Sequence, residues 1–132
     1  MKKDIENKGD IQLLVDGFYA KVKKDPTIGF IFNDIVKVNW ERHLPVMYDF
    51  WENSLFYTGG YTGNPMEIHR RLNQLIPLTA EHFKQWTHLF TSTIDELFDG
   101  EKALLAKQRA INISTLMQIK IIQHPGDINK VD

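Results

Sequence analysis

The 132-residue sequence contains no cysteine, and this absence removes several chemistries at once. Disulfides, thiolate nucleophiles, iron–sulfur clusters and zinc sites built on sulfur are all excluded. Lysine and arginine form no cluster and the formal net charge is only -1, so the basic surface needed to bind a nucleic-acid backbone is also missing. Nucleic acid is therefore not expected as a partner, and imidazole, carboxylate and phenol groups remain as the available chemistry.

Long hydrophobic runs are missing too. No run approaches the roughly 20 apolar residues of a transmembrane helix, and Met1-Lys2-Lys3-Asp4 does not lead into the apolar core of a signal peptide. A cytoplasmic protein without a membrane span is the expectation. With 42% hydrophobic and 25% charged residues, the chain is expected to form one domain over residues 1–132, with polar ends at about 1–9 and 123–132.

Apolar residues recur at the three- and four-residue spacing of amphipathic helices, and no strand pattern competes with them. Helices are predicted over about 10–24 and 39–57, from a cap at Thr79 to Gly100, and over about 101–122. Pro45 predicts a kink or a late start of the second helix, because proline lacks the N–H donor. A turn after the first helix delivers residues 30–32, an apolar cluster that must cover something to leave water.

The segment 61–69 predicts one further, short helix. Asn64 suits the N-cap, Pro65 suits the first helical position, and Glu67 stands where a capping-box carboxylate reaches back to the cap. His69 then projects from the second turn of a well-fixed helix, where its imidazole can be offered to a metal or a cofactor.

Taken one by one, the candidate residues have ordinary explanations. His69 fits an exposed or capping histidine, His43 a hydrogen-bonded buried one, and Tyr19, Phe83 and Trp86 fit an apolar core. Together they change the balance, because a small helical domain concentrates histidine, tyrosine, tryptophan and phenylalanine on faces that should converge. A flat apolar cofactor would explain this excess.

Five motifs follow one another along the chain. They are Phe18-Tyr19-x-Lys21-Val22-x-x-Asp25-Pro26-x-x-Gly29-x-Ile31-Phe32, Trp40-x-x-His43-Leu44, Asp49-Phe50-Trp51, Tyr61-x-Gly63-Asn64-Pro65-Met66-x-x-His69 and His82-Phe83-x-x-Trp86-x-x-Leu89-Phe90. With these motifs in this order, the chain resembles the group III truncated hemoglobins over about residues 10–120. These are the shortened bacterial globins with a two-over-two helical sandwich around heme. The resemblance implies an all-α, globin-like fold of the truncated two-over-two type.

The resemblance also implies roles for single residues. His69 would be the proximal ligand of the iron of heme b, with Tyr19, His43 and Trp86 on the distal side, where a gaseous ligand binds. The residues that would contact or support the cofactor, besides these, are Phe32, Met47, Phe50, Trp51 and Phe83. Arg70 and Arg71 fit heme propionate partners and solvated surface residues equally well.

The implied function is binding of dioxygen and other diatomic ligands, nitric oxide and carbon monoxide among them, for redox or detoxification chemistry that includes peroxide. Nitric oxide dioxygenase and peroxidase-like activities both fit, and either would need a reductase as partner. The alternative is a non-catalytic heme-based sensor or a helical interaction module. A carboxylate-bridged metal bundle is disfavoured, because the Glu-x-x-His pairs of such bundles are missing.

Overall fold

The structure, a computed structural model, describes residues 2–35, 37–57 and 77–123. These residues form four α-helices: α1 at Lys8–Lys24, α2 at Trp40–Phe56, α3 at Ala80–Leu97 and α4 at Glu101–Met117. Two short π-helical turns follow α1 and α4, at Ile31–Ile35 and Gln118–Gln123. No strand occurs in the described part, and the prediction of an all-helical chain is confirmed.

The helix ends follow from local capping. Asn7 accepts a hydrogen bond from the backbone N–H of Asp10 and so caps α1, and Thr79 forms a capping box with His82 at the start of α3. Helix α4 has Gly100 at its N-cap position and no side-chain cap from that residue. Asp4 supplies the cap instead, because its carboxylate accepts the N–H groups of Lys102 and Ala103 at 2.9 and 2.8 Å.

Two helices end earlier than predicted, and α2 shows no late start at Pro45. Helix α2 begins at Trp40 and continues through Pro45, so the proline does not delay its start and removes one backbone donor within it. Helix α3 ends at Leu97, before Gly100, and α4 passes into a π-helical turn after Met117. Of the predicted apolar cluster, Ile31 is buried and Phe32 half-buried, but Phe30 is 37% exposed, so the prediction was wrong for Phe30.

The helices pack as two pairs, one across the other. Helix α1 lies against α2, α3 lies against α4, and further contacts join α1 to α3 and α2 to α4. The core between the pairs contains nine large side chains that are almost completely buried: Phe90, Ile5, Ile11, Leu14, Leu55, Ile94, Val15, Val22 and Thr93. Gly17 allows α1 to approach α3, since a Cβ atom there would lie 3.3 Å from the Thr93 methyl carbon.

Within the described residues, no helix combines the length and the apolar character that crossing a bilayer demands.

The N-terminal segment, polar in sequence, is held to the helical body. Ile5 is 1% exposed, and the Asp99 N–H donates to the Lys3 carbonyl at 3.0 Å.

Candidate functional site

An apolar cavity of about 470 Å³, counting its space open to solvent, lies between the first π-helical turn, the start of α3 and the end of α4. The residues that line it are Ile28, Ile31, Phe32, Leu78, His82, Phe83, Trp86, Ile113 and Met117. Three of the predicted cofactor contacts, Phe32, Phe83 and Trp86, are therefore brought together around one space.

A polar pair, of which Tyr19 is buried and His43 half-buried, lies next to this cavity. The Tyr19 hydroxyl on α1 is 3.1 Å from Nε2 of His43 on α2. Tyr19 is 5% exposed, and its ring lies 6.1 Å from the cavity-lining ring of Phe32. Burial raises the pKa of the Tyr19 phenol well above its usual value, so the hydroxyl keeps its proton and can donate it in a hydrogen bond.

Trp86, on α3, is linked to Tyr19 through the ring of Phe18. Its ring meets Phe18 edge-on at 5.9 Å and stacks on Phe90 at 5.8 Å, while Phe18 in turn lies 4.8 Å from Tyr19. Among the described residues, no hydrogen bond to the Trp86 indole N–H is present, although the residue lines the cavity. Phe18 thus contacts both Tyr19 on α1 and Trp86 on α3.

Met47 and Phe50 are half-buried on α2 and pack against the core, and neither lines the described cavity. They follow His43 at four and seven positions, which places all three on the same side of α2. Trp51 is 2% exposed and stacks on Phe90 at 4.5 Å. Its position is that of a core residue.

His69 lies outside the described residues, as do the predicted helix start at Asn64 and the two arginines that follow His69. The prediction that His69 ligates iron therefore stays a prediction. In the described part of the chain, no three His, Asp or Glu side chains group as a metal site.

The structure adds residues to the site that the sequence did not single out. Trp40 stacks on Phe32 at 6.2 Å and meets Tyr19 at 5.1 Å, and the Lys23 ammonium lies 4.4 Å from the Trp40 ring centre. His82 lines the cavity while capping α3. Both Trp40 and His82 belong to the motifs that carry the family resemblance, and these motifs could have indicated a role for them.

Ile113 and Met117 were recognised only as part of the apolar face of the last helix. They line the cavity from α4, one turn apart. Periodicity places a residue on the inner face of a helix, but it does not separate a core contact from a cavity wall.

Two packed helical pairs, with an apolar cavity at the start of α3 and the end of α4, are the arrangement expected of a globin-like protein. No family model matches the sequence. The chain is 30% identical over 129 residues to the group 3 truncated hemoglobin ctb of Campylobacter jejuni, covering 96% of this chain and 99% of that protein. It also matches the crystal structure of the group III truncated hemoglobin from Campylobacter jejuni with a TM-score of 0.78 at 31% identity, over 89% of this chain and 93% of the other.

The chain belongs to the group III truncated hemoglobins. The all-α, two-over-two fold expected from the sequence is confirmed by the helical pairs and by this structural match.

Proposed function

We propose that this protein binds heme b in the described cavity and holds a diatomic ligand beside Tyr19, His43 and Trp86, for redox or detoxification chemistry of oxygen, nitric oxide or peroxide. A heme cofactor and a gaseous ligand follow from membership in a hemoglobin family. The single observation that supports the finer proposal is the 3.1 Å contact between the hydroxyl of the buried Tyr19 and Nε2 of the half-buried His43, beside an apolar cavity.

The chemistry of the cavity lining suits the expected cofactor. A porphyrin is a flat, mostly apolar ring, and seven of the nine lining residues have side chains without a polar N–H or O–H group. Phe32, Phe83 and Trp86 offer aromatic surface on two sides of this space. We propose these three as its walls, with Met47 and Phe50 supporting the distal side and His69 as the ligand from the segment 58–76.

When bound, heme supplies an iron centre that takes a diatomic ligand and undergoes one-electron redox change. The protein then supplies hydrogen-bond donors in an apolar surrounding. The Tyr19 hydroxyl stays protonated because burial raises its pKa, and the Trp86 indole N–H is a donor at any pH. Partial negative charge on a ligand between them would be stabilised, by about 1 to 3 kcal/mol for each donor.

His43 gives the pocket a group that can exchange protons. Its Nε2 and the Tyr19 hydroxyl share one hydrogen bond, in which either atom can be the donor, depending on the histidine tautomer. When Nε2 carries a proton, it donates to the Tyr19 oxygen and leaves the Tyr19 proton free for a ligand. When Nε2 carries none, the Tyr19 hydroxyl donates to His43. Such an arrangement suits chemistry that must deliver a proton to a ligand, as in peroxide cleavage.

Two donors that hold a ligand tightly are poorly suited to oxygen delivery, because release would be slowed by orders of magnitude. This favours redox chemistry with a reductase as partner, in a cytoplasmic single-domain protein. The other candidate, a non-catalytic heme sensor, would use the same pocket but needs no turnover. Steady consumption of nitric oxide or peroxide with an added reductant would separate the two.

The proposal is tested by absorption spectra of the purified protein, ferric and dithionite-reduced, before and after hemin addition. We expect a Soret band that shifts on reduction and again with carbon monoxide, and that is weakened or lost in His69→Ala. No band and no saturable uptake of hemin would contradict heme binding. An unchanged spectrum in His69→Ala would contradict only the choice of ligand.

A further inference from the structure

The cavity has few hydrogen-bonding side chains. Of its lining residues, only His82 and Trp86 carry a side-chain N–H group. His82 is half-buried near the start of α3, and its ring lies 6.4 Å from that of Phe30, which is 37% exposed. His82 therefore lies where the apolar space meets solvent.

The orientation of the His82 ring is fixed by the helix cap. The Thr79 N–H donates to His82 Nδ1 at 3.1 Å, and the His82 N–H donates to the Thr79 hydroxyl oxygen at 3.3 Å. Since Nδ1 accepts a hydrogen bond, it carries no proton, and the proton of the neutral ring is on Nε2. No described residue accepts a hydrogen bond from Nε2. The cap thus leaves one donor of known position at the rim of the cavity.

We propose that His82 binds a carboxylate of the heme, with Nε2–H as the donor. This inference rests on the proposed function. Apolar walls suit the porphyrin ring, but its carboxylates need a polar partner, since a buried unpaired charge is costly. The N-terminal end of an 18-residue helix also favours an anion electrostatically. Glu81 opposes this effect, but its side chain is exposed and screened by solvent.

The test compares His82→Gln with His82→Glu. Glutamine and glutamate at this helix position both preserve a capping box, so the two variants should fold alike. They differ at the rim, where glutamine can still donate and glutamate adds a negative charge. His88→Gln and His88→Glu form the matched control, because His88 is exposed on the same helix and does not line the cavity.

The measurement is the rate at which each ferric protein loses hemin to an excess of an acceptor globin, repeated with hemin dimethyl ester, in which both carboxylates are blocked. We expect His82→Glu to lose hemin about tenfold faster than His82→Gln. The ratio should fall close to one with the ester, and the His88 pair should not differ. Circular dichroism of the apoproteins checks that the helices are intact.

Equal hemin loss from the two His82 variants would overturn the proposal and leave the carboxylates to other residues. A ratio that persists with the ester would also overturn it, since the effect would then not depend on a carboxylate. These outcomes all require that the wild-type protein binds hemin. If the wild type takes up neither hemin nor its ester, the heme-binding proposal itself fails, and this inference fails with it.

Discussion

Phe18 and Tyr19 are neighbours on α1, yet they belong to two different regions. Phe18 contacts the ring of Phe90 at 5.1 Å within the core, where Phe90 also stacks on Trp51. Tyr19 contacts His43 and Trp40 beside the cavity. The core region, defined as Phe18, Trp51 and Phe90, offers packing only. The distal cluster, defined as Tyr19, Trp40 and His43, carries polar atoms on one buried and two half-buried side chains.

Because the two regions differ in this way, a mutation in each should change a different property of the protein. Removing a ring from the core region leaves a cavity and lowers the free energy of unfolding, whether or not a ligand is bound. Removing a polar atom from the distal cluster changes few packing contacts and, under the proposed function, alters how a ligand is held. Stability should therefore depend most on the core region, and ligand release on the distal cluster.

Phe90→Ala is expected to lower the free energy of unfolding by about 3 to 5 kcal/mol, because Phe90 is fully buried between Trp51 and Trp86. Urea unfolding of the apoprotein, followed by circular dichroism, measures this. Phe30→Ala is the control, since its 37% exposed ring should cost less than about 1 kcal/mol. Similar losses in both variants would show that the core region is not where stability is concentrated.

Asp4→Asn is expected to lower the free energy of unfolding by about 1 to 2 kcal/mol at neutral pH, because the amide cannot replace both acceptor oxygens at the start of α4. Burial acts to raise the pKa of Asp4, but the backbone N–H groups of Lys102 and Ala103 outweigh it and lower the pKa in the folded protein. The carboxylate therefore contributes stability above its unfolded pKa of about 4, and this is lost as pH falls through the lower folded value.

Urea titrations between pH 6 and pH 2 check the Asp4 prediction. The difference between wild type and Asp4→Asn should be full near pH 6 and should shrink toward the acid end. A difference independent of pH would contradict the role of the charged carboxylate. The Cβ atom of a residue replacing Gly100 would lie 2.5 Å from Asp4 Cγ, so Gly100→Ala should be destabilising as well.

Lys23→Met is expected to have the smallest effect, a loss of about 0.5 to 1 kcal/mol, because it removes the ammonium from above the Trp40 ring. Lys24→Met is the matched control, as Lys24 is exposed in the same last turn of α1 and makes no ring contact in the described structure. Equal stabilities of the two variants, in low salt, would rule out a role for the cation in bracing the distal cluster.

Features of the fold that depend on local sequence patterns were predicted, whereas those that depend on long-range contacts were not. The start of α3 was predicted from Thr79, and the apolar stripes of all four helices were recognised, because capping and periodicity are local. Asp4 as the cap of α4 was not predicted, since its partners lie nearly 100 positions away in the chain. Long-range hydrogen bonds of this kind leave no local pattern.

The candidate site was predicted unevenly for the same reason. The motifs placed Tyr19, His43 and Trp86 in one pocket, and the structure brings Tyr19 to His43 and Trp86 to the cavity. Trp40 and His82 were seen as motif letters without a role, because their contacts with Phe32 and with Thr79 depend on how the turn and α3 meet in space. His69 stays a prediction from the sequence.

The most direct test of the central claim, that Tyr19 holds a ligand in this pocket, is the oxygen dissociation rate of the reduced, heme-loaded Tyr19→Phe variant. Tyr48→Phe is the control, because the Tyr48 hydroxyl donates to Asp16 at the surface. We predict that release is at least about tenfold faster in Tyr19→Phe and unchanged in Tyr48→Phe. A rate in Tyr19→Phe equal to that of the wild type would contradict the account.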